Sequence, residues 1–345
     1  MMQTVILEQP GQLRLTSTAA PEAPGPGEAL VRVRCVGICG TDIHAFKGDQ
    51  PFFSYPRVLG HELGVEVVAI GPVERQPDLA VGDYCSVNPY LNCGHCSACR
   101  RGRPNCCLNL KVLGVHIDGG MRELIVVPID KLHKSSRLAL DLLALVEMLC
   151  IGAHAVRRAQ LTPGEQVLVI GAGPIGLSAI EFAKLSGAKT IVVDMNEQRL
   201  AFVREKMRVP DTILTKGDGE ELKQLAELTN GQLADVVIDA TGSNKSMGHA
   251  LNYCAFKGRL IYVGITQSKI SFPHAPALHR RELDIRASRN ALPGDFTRII
   301  KLIESGEIDT HPWITHHAAF DEMIDVFPSW TLPQTGVIKA MVEVC

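Results

Sequence analysis

The sequence has no excess of either charge: 35 Lys and Arg stand against 37 Asp and Glu, a formal net charge of −2. Nucleic acid calls for clustered basic residues and an anionic membrane for a polybasic stretch, so neither partner is expected. No apolar run approaches the roughly 18–20 residues of a membrane-spanning helix. The stretch from Met1 to Thr16 has neither a basic start nor a long apolar segment. No signal peptide is therefore expected, and a cytoplasmic protein is. Internal repeats and low-complexity tracts are missing as well. What is present is ordinary: 345 residues, 46% hydrophobic and 21% charged, enough for a substantial core in one large domain or two smaller ones.

Eleven cysteines depart from that ordinary background. An odd number, crowded towards the first third of a long chain, fits a disulfide scaffold poorly and metal well. Cys93, Cys96, Cys99 and Cys107 follow a pattern of two, two and seven intervening residues. Two-residue spacings let one turn present successive thiolates to a single ion, and zinc takes four sulfurs at about 2.3 Å. Four sulfurs leave no open position, so the expectation is a closed, structural zinc. Cys106 is the alternative to Cys107, and His95 inside the loop is read as a bystander.

Three zones differ in texture. Residues 1–150 are rich in β-branched residues, Gly and Pro, with alternating runs at 29–36 and 65–70 that read as strands. Residues 18–27 read as a surface connection between strands. Residues 151–287 alternate strand candidates (166–170, 190–193, 235–238, 259–263, 283–287) with helical stretches at 174–186 and 197–207. Strand, helix, strand in succession implies right-handed crossovers and a parallel sheet. Residues 288–345 return to mixed character, with a helix expected at 294–305 and a last strand at 337–344.

The strand at 166–170 runs into Gly171-Ala-Gly173-Pro174-Ile175-Gly176. The first glycine permits a tight turn, the second lets backbone approach a pyrophosphate, and the third lets helix and strand pack closely. The helix from Pro174 would aim its N-terminal amides at the phosphates. Asp194 follows 18 residues after Gly176, at the end of the next strand. A carboxylate there accepts hydrogen bonds from a ribose and repels a 2′-phosphate, which favours NAD over NADP. Arg199 reads two ways: a guanidinium that tolerates such a phosphate, or a plain helix-surface arginine. Residues 239–242, including Thr241, and 263–265, including Val263 and Gly264, end two predicted strands, where the ligand crevice of an open α/β sheet lies.

A second group is chemically open. Cys39, Thr41, Asp42 and His44 are close in sequence, His61-Glu62 follows a Pro-containing loop, and Glu147 comes much later. One thiolate, one imidazole and carboxylates suit zinc with room left for substrate.

Cys39, Gly60-His61-Glu62, the cysteine loop and the glycine-rich turn occur in the order of the zinc-dependent medium-chain dehydrogenase/reductases, the alcohol dehydrogenase superfamily. The resemblance covers essentially the whole chain. Residues 37–44, 51–62, 114–120 and 288–290 resemble most the sorbitol, threonine and sugar-acid branch, and within it hexonate 5-dehydrogenases of the L-galactonate type. Two departures stand out: Val65 occupies a position where the family usually has glycine, with Gly64 one residue early, and Met148 replaces a common proline.

The resemblance implies a Rossmann cofactor domain at 151–287 and a GroES-like, mainly β catalytic domain at 1–150 completed by 288–345. It implies a catalytic zinc on Cys39 and His61. Glu62 either binds that zinc or approaches it during turnover, and Glu147 binds it or hydrogen-bonds its water. Asp42 would fix the His61 tautomer, and Thr41 and His44 would relay the released proton, with helix capping as the plain alternative for Thr41 and Asp42. Ser288 and Arg289 would lie towards the nicotinamide or substrate, with a plain surface role open for Arg289, and Lys339 towards the pyrophosphate. Phe46, Phe53, Arg57, His116 and Arg289 are possible pocket liners, and Arg57 or Arg289 could face a substrate carboxylate. With two zincs per subunit, the expected reaction is NAD-dependent oxidation of a secondary hydroxyl of a polyol or sugar acid. L-Threonine or a simple secondary alcohol is the alternative substrate. The resemblance also implies a homodimer or homotetramer, with residues 259–265 as a possible sheet edge for assembly.

Overall fold

The computed structural model describes residues 1–51 and 53–344. Phe52, within the 51–62 motif, and Cys345, at the end of the third zone, lie outside the described residues. The chain forms two compact units, Leu149–Ala291 and the pair of segments Met1–Met148 and Leu292–Cys345.

The unit Leu149–Ala291 is built on six parallel strands. Their spatial order is Thr212–Leu214, Lys189–Asp194, Gln166–Ile170, Ala234–Asp239, Cys254–Tyr262 and Asp284–Ala287. Numbered along the chain this is 3-2-1-4-5-6, the doubly wound order of dinucleotide-binding sheets. Val167, Leu168 and Val169 are fully buried on both faces, which is why the strand reads as a continuous apolar run. Leu168, Ile191, Val237 and Leu260 share one core, each side chain contributing about 1.5–3 kcal/mol of burial. The helices Pro174–Leu185 and Glu197–Glu205 fall at the expected positions. The strand Thr212–Leu214 and the helix Glu220–Leu228 were not anticipated. One expectation is corrected. Residues 259–262 belong to Cys254–Tyr262, which is paired on both sides, so the sheet edge on that flank is Asp284–Ala287 instead.

The other unit holds a seven-stranded sheet. Its order is Ile314–Ala319, Lys339–Glu343, Glu28–Gly37, Glu62–Ile70, Tyr84–Val87 and Leu132–Ser135, with Leu124–Pro128 also paired to Glu28–Gly37. The C-terminal strand rejoins the N-terminal segment here, Met341 opposite Gly37. Gly37 in turn lies opposite Glu62. A Cβ at residue 37 would sit 2.3 Å from Glu62 Oε2, so only glycine lets that carboxylate lie over the strand. Gly64 answers a different constraint, since a Cβ there would meet the Leu140 carbonyl oxygen at 2.0 Å. The register between these strands shifts between Val33 and Cys35, opposite Gly64 and Val65. The one-residue displacement of the glycine thus coincides with a bulge in the partner strand. Glu147 rides on the 20-residue helix Leu140–Ala159, which runs across residue 150.

Candidate active site and metal centres

Two turns of backbone bring the open site together. Cys39 caps the helix Gly40–Lys47, and its amide donates to Asp42 Oδ2 at 2.9 Å, so Asp42 closes the helix start. His61 and Glu62 enter the neighbouring strand. The Cys39 sulfur, a His61 ring nitrogen and a Glu62 carboxylate oxygen lie within 4.8 Å of one another. His61 Nδ1 lies 3.8 Å from Asp42 Oδ1, and neither atom has a hydrogen-bond partner. The ring therefore turns Nδ1 to the carboxylate, leaving Nε2 for a metal.

The electrostatics favour a cation at this point. Burial pushes the His61 pKa down, but the Asp42 carboxylate, Cys39 and Glu147 outweigh it and hold the ring well above its ordinary value. Burial likewise raises Asp42, with His61 and the Cys39 amide opposing. A soft thiolate, an imidazole and a carboxylate at this separation match three donors around zinc, with a fourth position left over. These residues fit the ion.

Glu147 is not one of the three clustered donors. It is buried, and its Oε1 accepts a hydrogen bond from the Tyr90 hydroxyl. Burial raises its pKa to about 7; Glu62 adds to the rise, while His61, Tyr90 and Lys339 oppose it.

Lys339 requires a correction. Its Nζ, 1% exposed, donates to Glu62 at 2.6 and 2.7 Å and to the Ile38 carbonyl at 3.0 Å. An ammonium spent on three buried oxygens has no donor left for a pyrophosphate. The strand pairing of Met341 with Gly37 is what delivers it to Glu62.

The cysteine loop closes on itself. Cys93, Cys96, Cys99 and Cys107 form one group, with sulfurs 3.5 Å apart between Cys96 and Cys99, 3.5 Å between Cys93 and Cys107, and 3.9 Å between Cys96 and Cys107. Sulfurs at about 2.3 Å around a tetrahedral ion would be separated by about 3.8 Å. The Cys99 and Leu108 amides pull the Cys96 thiol down to about 6, and the His95 and Cys96 amides lower Cys93. Thiolates are what zinc binds. Cys106 is exposed and outside the group. His95 is also exposed, its Nδ1 on the Cys93 carbonyl.

In the unit Leu149–Ala291 the glycine-rich turn is held by close packing. A Cβ on Gly176 would lie 1.7 Å from the Gly171 carbonyl oxygen, and one on Gly264 would lie 2.2 Å from the Gly242 amide. Gly173 caps the helix begun by Pro174, with Ile175 in its first turn. Asp194 Oδ2 accepts from the Ala172 amide at 2.6 Å and Oδ1 from the Asn196 amide at 2.7 Å. Arg199 folds back over the turn, its Nη1 3.7 Å from where a Gly173 Cβ would be. Thr241 packs against Gly171, and Val263 donates its amide to the Asp239 carbonyl. Glycine turn, acidic strand end and the ends of two further strands thus converge on one end of the sheet. Ser288 follows the last strand with its hydroxyl buried and unpartnered, and Arg289 is exposed.

The remaining candidates divide. Thr41 is half-buried on the first turn after Cys39, and His44 is exposed with Nδ1 2.9 Å from Asp49. Arg57 is engaged by Asp118 at 3.2 Å and Ser54 at 2.8 Å. Phe46 packs on Phe327, Phe53 on Tyr55, and His116 Nδ1 accepts from the Val112 amide.

Two family models match the chain: an alcohol dehydrogenase GroES-like domain over residues 25–137 and a zinc-binding dehydrogenase over 174–305. An L-galactonate-5-dehydrogenase of Escherichia coli is 39% identical over 99% of this chain and 98% of its own length. The chain belongs to the zinc-type medium-chain alcohol dehydrogenases. An L-threonine 3-dehydrogenase of Pyrococcus horikoshii is 31% identical over 99% of both chains. An E. coli alcohol dehydrogenase structure, RspB with NADH, superposes with a TM-score of 0.90 at 30% identity over 99% of both chains.

As a zinc-type alcohol dehydrogenase the protein is an oxidoreductase acting on CH–OH donors. Tyr90 and the buried role of Lys339 are the features of this dehydrogenase that the sequence did not disclose. Tyr90 reads as one apolar residue in a short strand, and nothing local links Lys339 to a glutamate 277 residues away.

Proposed function

We propose that this dehydrogenase oxidises a secondary hydroxyl of a polyol or of a hexonate-type sugar acid to the ketone, with NAD⁺ as hydride acceptor. The observation that carries the reading is the cluster of half-buried Cys39 with buried His61 and Glu62, one donor short of a tetrahedral set. Bound there, zinc supplies Lewis acidity that lowers the pKa of a substrate hydroxyl, and NAD⁺ supplies the hydride acceptor.

The protein's own groups do the rest. Asp42 faces His61 and keeps its Nδ1 side occupied, so the ring keeps its orientation. Lys339 balances the Glu62 charge, and Glu147 is a buried carboxyl group close enough for the charges of His61 and Glu62 to act on it. The Thr41 hydroxyl can accept a proton and donate one at the same time, and the His44 imidazole is exposed to solvent. Asp194 supports NAD: a carboxylate at the ribose end opposes a 2′-phosphate. The hexonate preference rests on the 39% identical relative, and the threonine dehydrogenase is the source of the alternative. We place the enzyme in the cytoplasm as a homodimer or homotetramer.

The test is NADH formation from NAD⁺ with hexonates, polyols, L-threonine and simple secondary alcohols, with and without a zinc chelator. Chelator-sensitive turnover of hexonates or polyols is expected, with NADP⁺ the poorer acceptor. Turnover confined to threonine would transfer the assignment to the amino-acid substrate. Silence from a protein carrying both zincs would remove the substrate class.

A further inference from the structure

The geometry points to Tyr90 as a positioning residue that keeps Glu147 out of the open metal position, so that substrate can take it. The inference rests on the reading of Cys39, His61 and Glu62 as a zinc site.

Glu147 is close enough to the site for His61, Glu62 and Lys339 to act on its charge, yet it is not one of the three clustered donors. A carboxylate beside a metal with a free position tends to fill it, with one oxygen or with both. Here one of its oxygens accepts the Tyr90 hydroxyl proton. Both partners are buried, Tyr90 at 5% exposed and Glu147 at 3%, so water does not compete for that bond. A phenol is a neutral donor. It engages the carboxylate without adding a second charge to a region already balanced by Lys339.

The phenol is itself held in place. Its ring meets Phe296 edge-on at 6.5 Å, and Phe296 stacks on His133 at 4.9 Å. Its backbone pairs with Val112 in the short ladder Tyr90–Leu91 with Lys111–Val112. That ladder brackets residues 92–110, which carry all four clustered cysteines. Asn92, at the root of the loop, accepts from Lys131 Nζ at 2.8 Å and points its amide at Cys99 Sγ, 3.8 Å away. The loop that closes one metal site therefore roots the residue that controls a carboxylate at the other.

The experiment uses the holoenzyme with cobalt(II) in the open site and zinc kept in the cysteine loop. It compares Tyr90→Phe, Glu147→Ala and the double variant. Phenylalanine keeps the ring and its contact with Phe296 and removes only the hydroxyl. Tyr90→Phe is expected to weaken and shift the cobalt ligand-field bands, as an added ligand does. It should also lower kcat/KM by about 10- to 100-fold, with most of the loss in KM, because the substrate oxygen now competes with Glu147. Glu147→Ala should leave the cobalt bands as in the unmodified enzyme, and the double variant should share that spectrum.

Three results overturn the inference: bands unchanged in Tyr90→Phe, bands altered by Glu147→Ala alone, or a Tyr90→Phe change that survives in the double variant. The second decides the matter even if Tyr90→Phe folds poorly, since it shows that Glu147 is already a ligand. Failure of the unmodified protein to take cobalt at the open site would overturn the zinc reading itself, and is seen before any variant is made.

Discussion

Lys339 shows how one residue can be decisive and yet invisible along the chain. Its ammonium is buried against both oxygens of Glu62, and Glu62 is buried over Gly37. Removing one partner of such a pair leaves an uncompensated charge, at a cost of about 3–5 kcal/mol. Lys339→Met is therefore expected to destabilise the metal-free protein by that order. A bound zinc gives Glu62 a second source of positive charge, so the loss should be smaller in the holoenzyme. Urea unfolding with and without zinc measures both. Equal losses in the two states would mean that Glu62 is not part of the metal site. Asp194 makes a similar point at the other site. Both its oxygens already accept backbone amides, so Asp194→Ala removes the brace of the glycine turn as well as the barrier to a 2′-phosphate. NAD⁺ affinity is expected to fall and the preference over NADP⁺ to narrow, as measured by KM for each.

At the scale of elements, what could be read in advance was whatever is local. The four cysteines lie within one loop, so their spacing alone implied the cluster that the structure contains. The turn from Gly171 to Gly176 and the acidic end of the following strand are likewise contiguous. Contacts between segments far apart in the chain left no local signal: Tyr90 reaches Glu147 across 57 residues and Lys339 reaches Glu62 across 277.

The strand Leu132–Ser135 carries a further case. His133 stacks on Phe296, sets Nδ1 3.1 Å from Thr297 Oγ1 and buries Nε2 without a partner. Burial, helped by the Lys131 charge, pushes its pKa down from 6.5 to about 4. The folded protein thus resists a proton that the unfolded chain accepts. Its contribution to stability is complete above pH about 6.5, falls as the pH drops towards about 4, and is constant below that. His133→Phe keeps a stacked ring and removes the titration. Over that window the variant's unfolding free energy should depend less steeply on pH, by up to one proton. Parallel slopes for the two proteins would mean that His133 titrates normally.

On the scale of the whole molecule the sequence reads as three zones, the third expected to complete the first, and the structure groups its segments into two units, one of them made of Met1–Met148 and Leu292–Cys345. The grouping has a physical basis in the seven-stranded sheet, where Lys339–Glu343 pairs with Glu28–Gly37 and Ala340, Val342, Phe327 and Trp330 share a core with Val31, Val33 and Val65. If the two segments form one cooperative unit, ligands bound to its N-terminal part must stabilise its C-terminal part as well. Both candidate zinc sites draw their ligands from residues 39–107. Removing the metal from them is therefore expected to speed amide exchange in Lys339–Glu343 and Met323–Trp330 together with Glu28–Gly37 and Glu62–Ile70. Lys339 strengthens the link, because its partner Glu62 is itself a candidate ligand. Hydrogen exchange of the zinc-loaded and chelated protein, read segment by segment, tests this directly. Loss of protection confined to the N-terminal strands, with the C-terminal strand as slow as before, would show that the two segments do not open as one.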